Sequence, residues 1–327
     1  PGAVVMQATK HHLPKVAVVV ATHAYCYPLE ACLAGFAAQL DSPADVILVD
    51  NGSDGQVADW AKQHAPDVTT VIRRHNGFFC GGYNEGLRYA LERGYDFVLI
   101  VNADTEVCNP RLITDLLEAA ERHPRAAFIG PMVFLRKVGN VQNTVLSFPT
   151  FLRNLRAFVQ FKFFNGLAPR SDDREREVEF LNGVCVLCRS QALREVGLLD
   201  EAMGGYVEDT DWAWRARDLG WKSVYTPVPS IIHHQPEAGY EHYSTKCFML
   251  RRNTIYWHHK RGARLEAALY GWSARLLAWA RAVHAGLKGR PDSPQFLAFS
   301  NRLRSVDLGI RRGMPMGDWF GPPFTSR

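Results

Sequence analysis

The 327-residue chain lacks any stretch of roughly 18 consecutive apolar residues, so no membrane-spanning helix is expected. Pro1 to Pro14 has no apolar core of the kind a secretory signal carries, and it reads as a loose leader before the first strand. Cysteine is sparse: seven residues, an odd number, scattered along the chain. Cys185 and Cys188 stand closest together, inside an apolar run that reads as a buried strand. Free thiols in a reducing cytosol are therefore expected. A dominant sign of charge is missing too. Net charge is +5, with 22% charged and 47% hydrophobic residues, ordinary for a globular protein. That balance suits an anionic ligand or an anionic membrane surface and does not demand nucleic acid. No G-x-G-x-x-G follows the first apolar run, which argues against a dinucleotide oxidoreductase.

What is present is a repeat of strand, loop and helix. Lys15–Thr22, Asp45–Asp50, Thr69–Ile72 and Phe97–Val101 read as buried strands. Pro28–Leu40, Val57–His64, Asn84–Arg93 and Pro110–His123 read as helices. Four such units imply an α/β fold, a mostly parallel sheet flanked by helices with right-handed crossovers. Ligands of such sheets bind beyond the carboxyl ends of the strands. Thr22, Asp50 and Asp104 each stand near such an end, although strand ends also need polar residues for ordinary reasons. The second half is less regular: a strand at Phe128–Leu135, then an irregular segment over 139–178 with interleaved aromatic and basic residues. That segment suits either a core helix or an amphipathic flap against lipid or acceptor. Helices are expected at Leu193–Leu199 and Asp211–Leu219, with a strand over Lys222–His234.

From Ser244 the pattern is helical. In Leu265–Leu287, Trp272, Leu276, Trp279 and Val283 share one face, fringed by Arg275, Arg281 and Lys288. The face can pack on the rest of the protein or lie on an anionic membrane. The prolines from Pro291 onward suggest an irregular tail. The domain reading is a leader over 1–14, a main domain over 15–243, a helical extension over 244–290 and a tail over 291–327. Within the main domain, 15–135 is the donor half and 136–243 the acceptor half.

The densest chemistry is Gly204-Gly205-Tyr206-Val207-Glu208-Asp209-Thr210-Asp211-Trp212. Three carboxylates within four residues repel one another, so they call for water, a cation or a proton-accepting role. Acids also favour the first turn of any helix, and both readings can hold together.

Several pieces now line up in order: Val18-Val19-Val20-Ala21-Thr22, Val49-Asp50-Asn51-Gly52-Ser53-Asp54, Asn76 to Gly86, Val101-Asn102-Ala103-Asp104, Asn182-Gly183, Glu208 to Asp211, His233-His234 and Arg252-Asn253. This ordered set resembles a family 2 glycosyltransferase of GT-A fold, near the bacterial rhamnosyltransferase-like branch, over roughly residues 15–260. The resemblance implies inverting transfer of a sugar from a UDP- or dTDP-sugar to a hydroxyl of a bacterial polysaccharide or lipid-linked glycan. It also implies a Mg²⁺ or Mn²⁺ ion that neutralises the leaving diphosphate.

By that resemblance Asp104 matches the last acid of the DxD motif, with Asn102 in place of the first and Ala103 between them. Asp104 and His233 are the expected metal ligands; a hydrogen-bonded core pair is the plainer reading of His233-His234. Thr22, Asp50, Asn51, Asn76, Asn84, Asn102, Ala103, Asp104 and Arg252 are expected to bind donor, with Asp50 at the base and ribose. The loop over 76–86 departs from the family's N-x-G-F, since Phe78 follows Gly77. Arg252 could clasp the diphosphate or belong to a solvated basic face. Asp209 is the candidate general base. Glu208, Asp211, Trp212 and His234 are expected to support the acceptor side, although Trp212 and Trp214 cannot face the same way on a helix. A nucleotidyltransferase would need a Gly- and Arg/Lys-rich loop after the first strand, which Thr22–Pro28 does not provide. A non-catalytic binding module would have no use for Asp104, Asp209 and His233. The expected placement is cytoplasmic, with peripheral contact at the inner face of the cell membrane. Oligomeric state is left open.

Overall fold

Buried β-branched runs dictate the centre of the molecule. Val16–Val20, Ile47–Val49 and Val98–Val101 are all but inaccessible to solvent, as strands covered on both faces must be. Each such side chain contributes roughly 1.5–3 kcal/mol of burial. The computed structural model describes residues 14–312 apart from 27, 42–43, 137–139, 151–152, 154–172, 235–244 and 290–292. The leader, most of the aromatic and basic segment and the last fifteen residues therefore lie outside the described residues.

The strands are β1 (Val16–Thr22), β2 (Ala44–Asn51), β3 (Thr69–Arg73), β4 (Phe97–Asn102), β5 (Thr105–Val107), β6 (Ala126–Leu135), β7 (Val141–Gln142), β8 (Val145–Leu146), β9 (Arg176–Val178), β10 (Phe180–Leu181), β11 (Cys185–Arg189) and β12 (Lys222–His233). The main sheet runs β3-β2-β1-β4-β11-β6-β12-β5, with β7 on β6 and β9 on β12. The first four of these are mutually parallel, as the repeat predicts. Strand β11 is antiparallel to both β4 and β6, and β12 is parallel to β6. This is a mixed, mostly parallel sheet with helices on both faces, and one apolar core lies on each side of it.

The helices are α1 (Leu29–Ala37), α2 (Gln56–His64), α3 (Phe78–Glu92), α4 (Leu112–Arg122), α5 (Ser190–Val196), α6 (Glu208–Asp218), α7 (Thr245–Lys260), α8 (Arg264–Leu287) and α9 (Ser293–Arg311). Two of them correct the sequence reading. The glycine-rich stretch expected as a loop up to Asn84 is helical from Phe78, so Asn84 lies in mid-helix. Its glycines serve close packing: a Cβ on Gly86 would lie 2.3 Å from a Val19 methyl, and one on Gly82 would lie 2.8 Å from Asn51 Nδ2. The expected irregular tail is a helix over Ser293–Arg311. Pro294 sits in its first turn, where proline breaks no helical hydrogen bond.

Helix α8 packs on α7 and α9 through small residues: Ala267, Gly271, Ala274, Ala278, Ala282 and Ala285 are buried. Tyr270, Ile255, Phe248, Leu303 and Val306 complete this third core.

Candidate active site

The site forms where β1, β2, β4 and β12 end. Thr22 closes the turn after β1, its hydroxyl donating to Ala24 O at 2.6 Å. At the end of β2, Asp50 is fully buried. Its oxygens accept the Ser53 N–H at 2.9 Å and the Ala58 N–H at 3.2 Å. Besides the contact expected of it, Asp50 has a structural role in its loop. A carboxylate beneath a helix start satisfies orphan N–H groups, and here it fixes the loop into α2.

Asn51 turns the other way. Its Nδ2 donates to Phe78 O at 2.8 Å and its Oδ1 accepts the Gly77 N–H at 3.0 Å. Asn76 Oδ1 accepts the Phe78 N–H at 2.8 Å and reaches Asn51 Nδ2 at 3.4 Å. Gly52 makes this approach possible. At φ +78° it has no side chain to meet Asn76 N, which a Cβ would face at 2.4 Å. The Asn51–Asn76 pair therefore shapes the mouth of the loop. Asn84 does not face it: its amide bonds both Leu199 N–H and Leu199 O and reaches Glu201.

Asp104 follows β4, and its carboxylate lies 3.2 Å from His233 Nε2 at the end of β12. His233 is almost buried, while Asp104 is 27% exposed. The other ring nitrogen, Nδ1, lies 2.8 Å from Gln142 Oε1 on β7. A carbonyl oxygen accepts, so Nδ1 carries a proton and Nε2 is the nitrogen that faces the carboxylate. A proton or a cation between Nε2 and the carboxylate completes the contact. A ligating histidine whose second nitrogen donates to a carbonyl is the usual arrangement at metal sites. Among the described residues no third His, Cys, Asp or Glu joins the pair. That donor set fits a hard or borderline cation whose other positions go to diphosphate oxygens and water.

His234 points elsewhere, as the period of a strand requires. It contacts Glu106 at 3.1 Å and Arg136 at 2.9 Å, away from the Asp104–His233 pair.

Asp209 enters on the first turn of α6. Tyr206 and Val207 before it both adopt positive φ, 65° and 73°. For a β-branched valine this is a strained conformation, of a kind held at functional sites. Asn253 on α7 holds it: its Nδ2 donates to the carbonyls of Met203 (2.9 Å), Gly205 (2.7 Å) and Tyr206 (2.7 Å). Burial pushes the Asp209 carboxyl up to about 6. The Thr210 N–H and hydroxyl and the Gly183 N–H limit that rise. Glu208 is buried deeper, and burial together with the Asp209 charge raises it well above the carboxylate range. Glu208 is thus the member of the pair that holds its proton more tightly and Asp209 the one more readily ionised, a division that environment alone creates.

The remaining acids and aromatics are structural. Asp211 is buried between Arg215 (2.8 Å) and Lys260 (2.9 Å), and Lys260 also binds Asp200 at 2.7 Å. Trp212 is 3% exposed and donates to Gly197 O, so it is core rather than an acceptor platform. Arg252, expected at the diphosphate, is fully buried and donates to Ala202 O. Burial lowers its guanidinium to about 10. Its bond to Ala202 O sets it beneath the turn that leads to Asp209.

One route links the two chemical centres. Asn102 N–H donates to Val184 O at 2.9 Å, and Gly183, the residue before, lines one cleft with Asp209 and its amide favours the ionised carboxyl. Asp104 lies two residues past Asn102. The acid of β4 and the acid of α6 therefore share one end of the sheet. Gln142, Gly183 and Asn253 escaped the sequence reading as site residues. Asn253 had a trace, next to Arg252; Gln142 had none, in a segment without periodicity.

Residues 14–251 match the profile of "Glycosyltransferase like family 2". The chain belongs to that family. A relative in Mycobacterium tuberculosis, N-acetylglucosaminyl-diphospho-decaprenol L-rhamnosyltransferase, is 29% identical over 73% of this chain and 85% of its own length. A low-salt glycan biosynthesis hexosyltransferase of Haloferax volcanii is 24% identical over 64% of this chain and 65% of its own. Among solved structures, GalNAc-T7 with UDP, GalNAc and Mn²⁺ superposes with TM-score 0.56 at 12% identity, covering 76% of this chain and 48% of the other. The mannosyltransferase PcManGT from Pyrobaculum calidifontis, in complex with GDP-Man and Mn²⁺, gives 0.51 at 16% identity, over 91% and 87%. This family 2 glycosyltransferase thus has the GT-A fold. It is an enzyme of sugar transfer, with relatives among rhamnosyl- and hexosyltransferases.

Proposed function

We propose that this glycosyltransferase moves a hexose or deoxyhexose from a UDP- or dTDP-sugar to a hydroxyl of a lipid-linked glycan in cell-envelope synthesis, with inversion. The observation that carries the reading is the single sheet end shared by the Asp104–His233 pair and Asp209, joined through Asn102–Val184 and Gly183. Asp209 would take the proton of the acceptor hydroxyl as that oxygen attacks the anomeric carbon. A carboxyl raised to about 6 is a stronger base than an ordinary aspartate and is still ionised at neutral pH. A single displacement from the face opposite the leaving diphosphate inverts the centre. Asp104 and His233 would hold a divalent cation, which would stabilise the charge developing on the diphosphate. Thr22, Asn51, Asn76, Asn102 and Ala103 would border the donor, and Asn51 and Asn76 would set the shape of the loop.

The lipid-linked acceptor is suggested by the mycobacterial relative, whose name carries a decaprenol diphosphate. Such an acceptor would keep the enzyme at the cytoplasmic face of a membrane. Among the described residues no helix is long and apolar enough to cross one. The test is a panel of UDP- and dTDP-sugars with a polyprenyl-diphosphate-linked N-acetylglucosamine acceptor, with and without Mn²⁺. Transfer that needs the metal and yields the opposite anomer supports the proposal. Retention of configuration, or transfer unaffected by chelator, would refute it.

A further inference from the structure

Helix α8 is built inside out. Its small residues face the protein, while Leu265, Trp272, Leu276, Trp279, Val283 and Leu287 face solvent. The two tryptophans are 58% and 54% exposed, and Leu287 is 84% exposed. Positions 272, 276, 279 and 283 follow helical spacing, so they form one continuous ridge. Scattered apolar residues at a surface are normal; a ridge of this length is not. Helix α8 already has its packing partners on the opposite face, in α7 and α9. The ridge is therefore surplus to the fold.

Charge says what the ridge suits. Between residues 245 and 312 the sequence has fourteen Lys or Arg and three Asp or Glu, whereas the whole chain carries only +5. The cationic excess is thus concentrated in the C-terminal helices, and the rest of the chain is net acidic. Arg275 borders the ridge, whereas Arg281 and Lys288 lie round the helix from it, Arg281 near Arg251 and Cys247 of α7. The one acid of α8, Glu266, is engaged by Arg261 and His258 at its first turn. Tryptophan and long cationic side chains both favour the boundary between hydrocarbon and headgroup. A second copy of the chain is the poorer fit, because a self-complementary contact would bring two strongly cationic faces together.

We propose that the outer ridge of α8 docks on an anionic lipid surface, lying in the interface without crossing it. The inference deepens the lipid-linked reading of the acceptor. It rests on the surface of α8, so it can fail while that reading stands.

The test uses the full chain without substrate. Flotation with vesicles of phosphatidylcholine containing phosphatidylglycerol is compared with phosphatidylcholine alone, at low and high salt. Binding is expected to the anionic vesicles, with a blue shift of tryptophan emission and release by salt. The triple variant Trp272→Ser, Leu276→Ser, Trp279→Ser should partition roughly tenfold or more weakly. Arg275→Glu should weaken the preference for anionic lipid. Both variants should keep wild-type transfer to a short water-soluble acceptor. Absence of vesicle binding, or binding unchanged in the triple variant, would overturn the proposal. So would a wild-type dimer in sedimentation equilibrium that the triple variant converts to monomers. Loss of transfer to the soluble acceptor in the triple variant would also overturn it, since the ridge would then belong to the catalytic body.

Discussion

Asp209 at the start of α6 lines the same cleft as Gly183, two residues before the strand that neighbours β4, and the Gly183 amide favours its ionised carboxylate. This proximity keeps the proposed base near the sheet end that carries Asp104. It also limits how far burial can raise the Asp209 carboxyl, so the group stays ionised at the pH where it would act.

Asp209→Asn is expected to abolish transfer while leaving UDP binding within about twofold in calorimetry. Stability should move the other way. The folded state holds the Asp209 proton more tightly than the unfolded chain, so the wild type loses stability as pH rises from about 4 through about 6. The variant carries no such charge. Above pH 6 it should unfold on the order of 1–2 kcal/mol less readily, and near pH 4 the two should coincide. Urea melts at both pH values measure this. In the wild type the transfer rate should fall as pH drops below about 6.

Asp104→Ala and Gln142→Leu separate a proposed ligand from the residue that would orient its partner His233. Mn²⁺ binding in the presence of UDP, read by electron paramagnetic resonance, should weaken by roughly tenfold in Gln142→Leu. It should weaken more in Asp104→Ala. An unchanged affinity in Asp104→Ala would remove the carboxylate from the metal site.

Gly52→Ala should act on the donor and spare the rest. A Cβ at φ +78° meets the backbone of His75 and Asn76, and neither can swing away as a side chain would. The cost is about 1–3 kcal/mol of strain, relieved by displacing the Asn76 loop. A raised KM for donor with kcat little changed is the expected result of steady-state kinetics.

Arg252→Met and Trp212→Ala should behave as core substitutions. Arg252→Met loses the bond to Ala202 O and should cost roughly 1–3 kcal/mol. Trp212→Ala should cost about 3–5 kcal/mol. Thermal unfolding measures both. UDP affinity of the folded fraction of Arg252→Met should match the wild type, which would distinguish an internal arginine from a diphosphate ligand.

The first half of the fold was legible because parallel strands covered on both faces read as unbroken β-branched runs. Their ends fall at Thr22, Asn51 and Asn102. Asp104 and His233, expected together as acid and imidazole, do lie 3.2 Å apart in the fold. The loop-fixing bonds of Asp50 were not legible because sequence shows an acid at a strand end but not which way its oxygens turn. The glycines of α3 read as a loop because composition cannot tell conformational freedom from the need for close contact with β1. Arg252 and Trp212 looked functional by type, and only tertiary packing turns them inward. Gln142 left no mark, since a lone amide in a two-residue strand has no pattern around it.

The family profile stops at residue 251, two residues before Asn253, yet that amide grips the carbonyls of Met203, Gly205 and Tyr206. Catalytic body and C-terminal helices are consequently one mechanical unit. A chain cut at the profile boundary would leave Val207 without its restraint, and its aspartate would be free to swing out of register with the sugar.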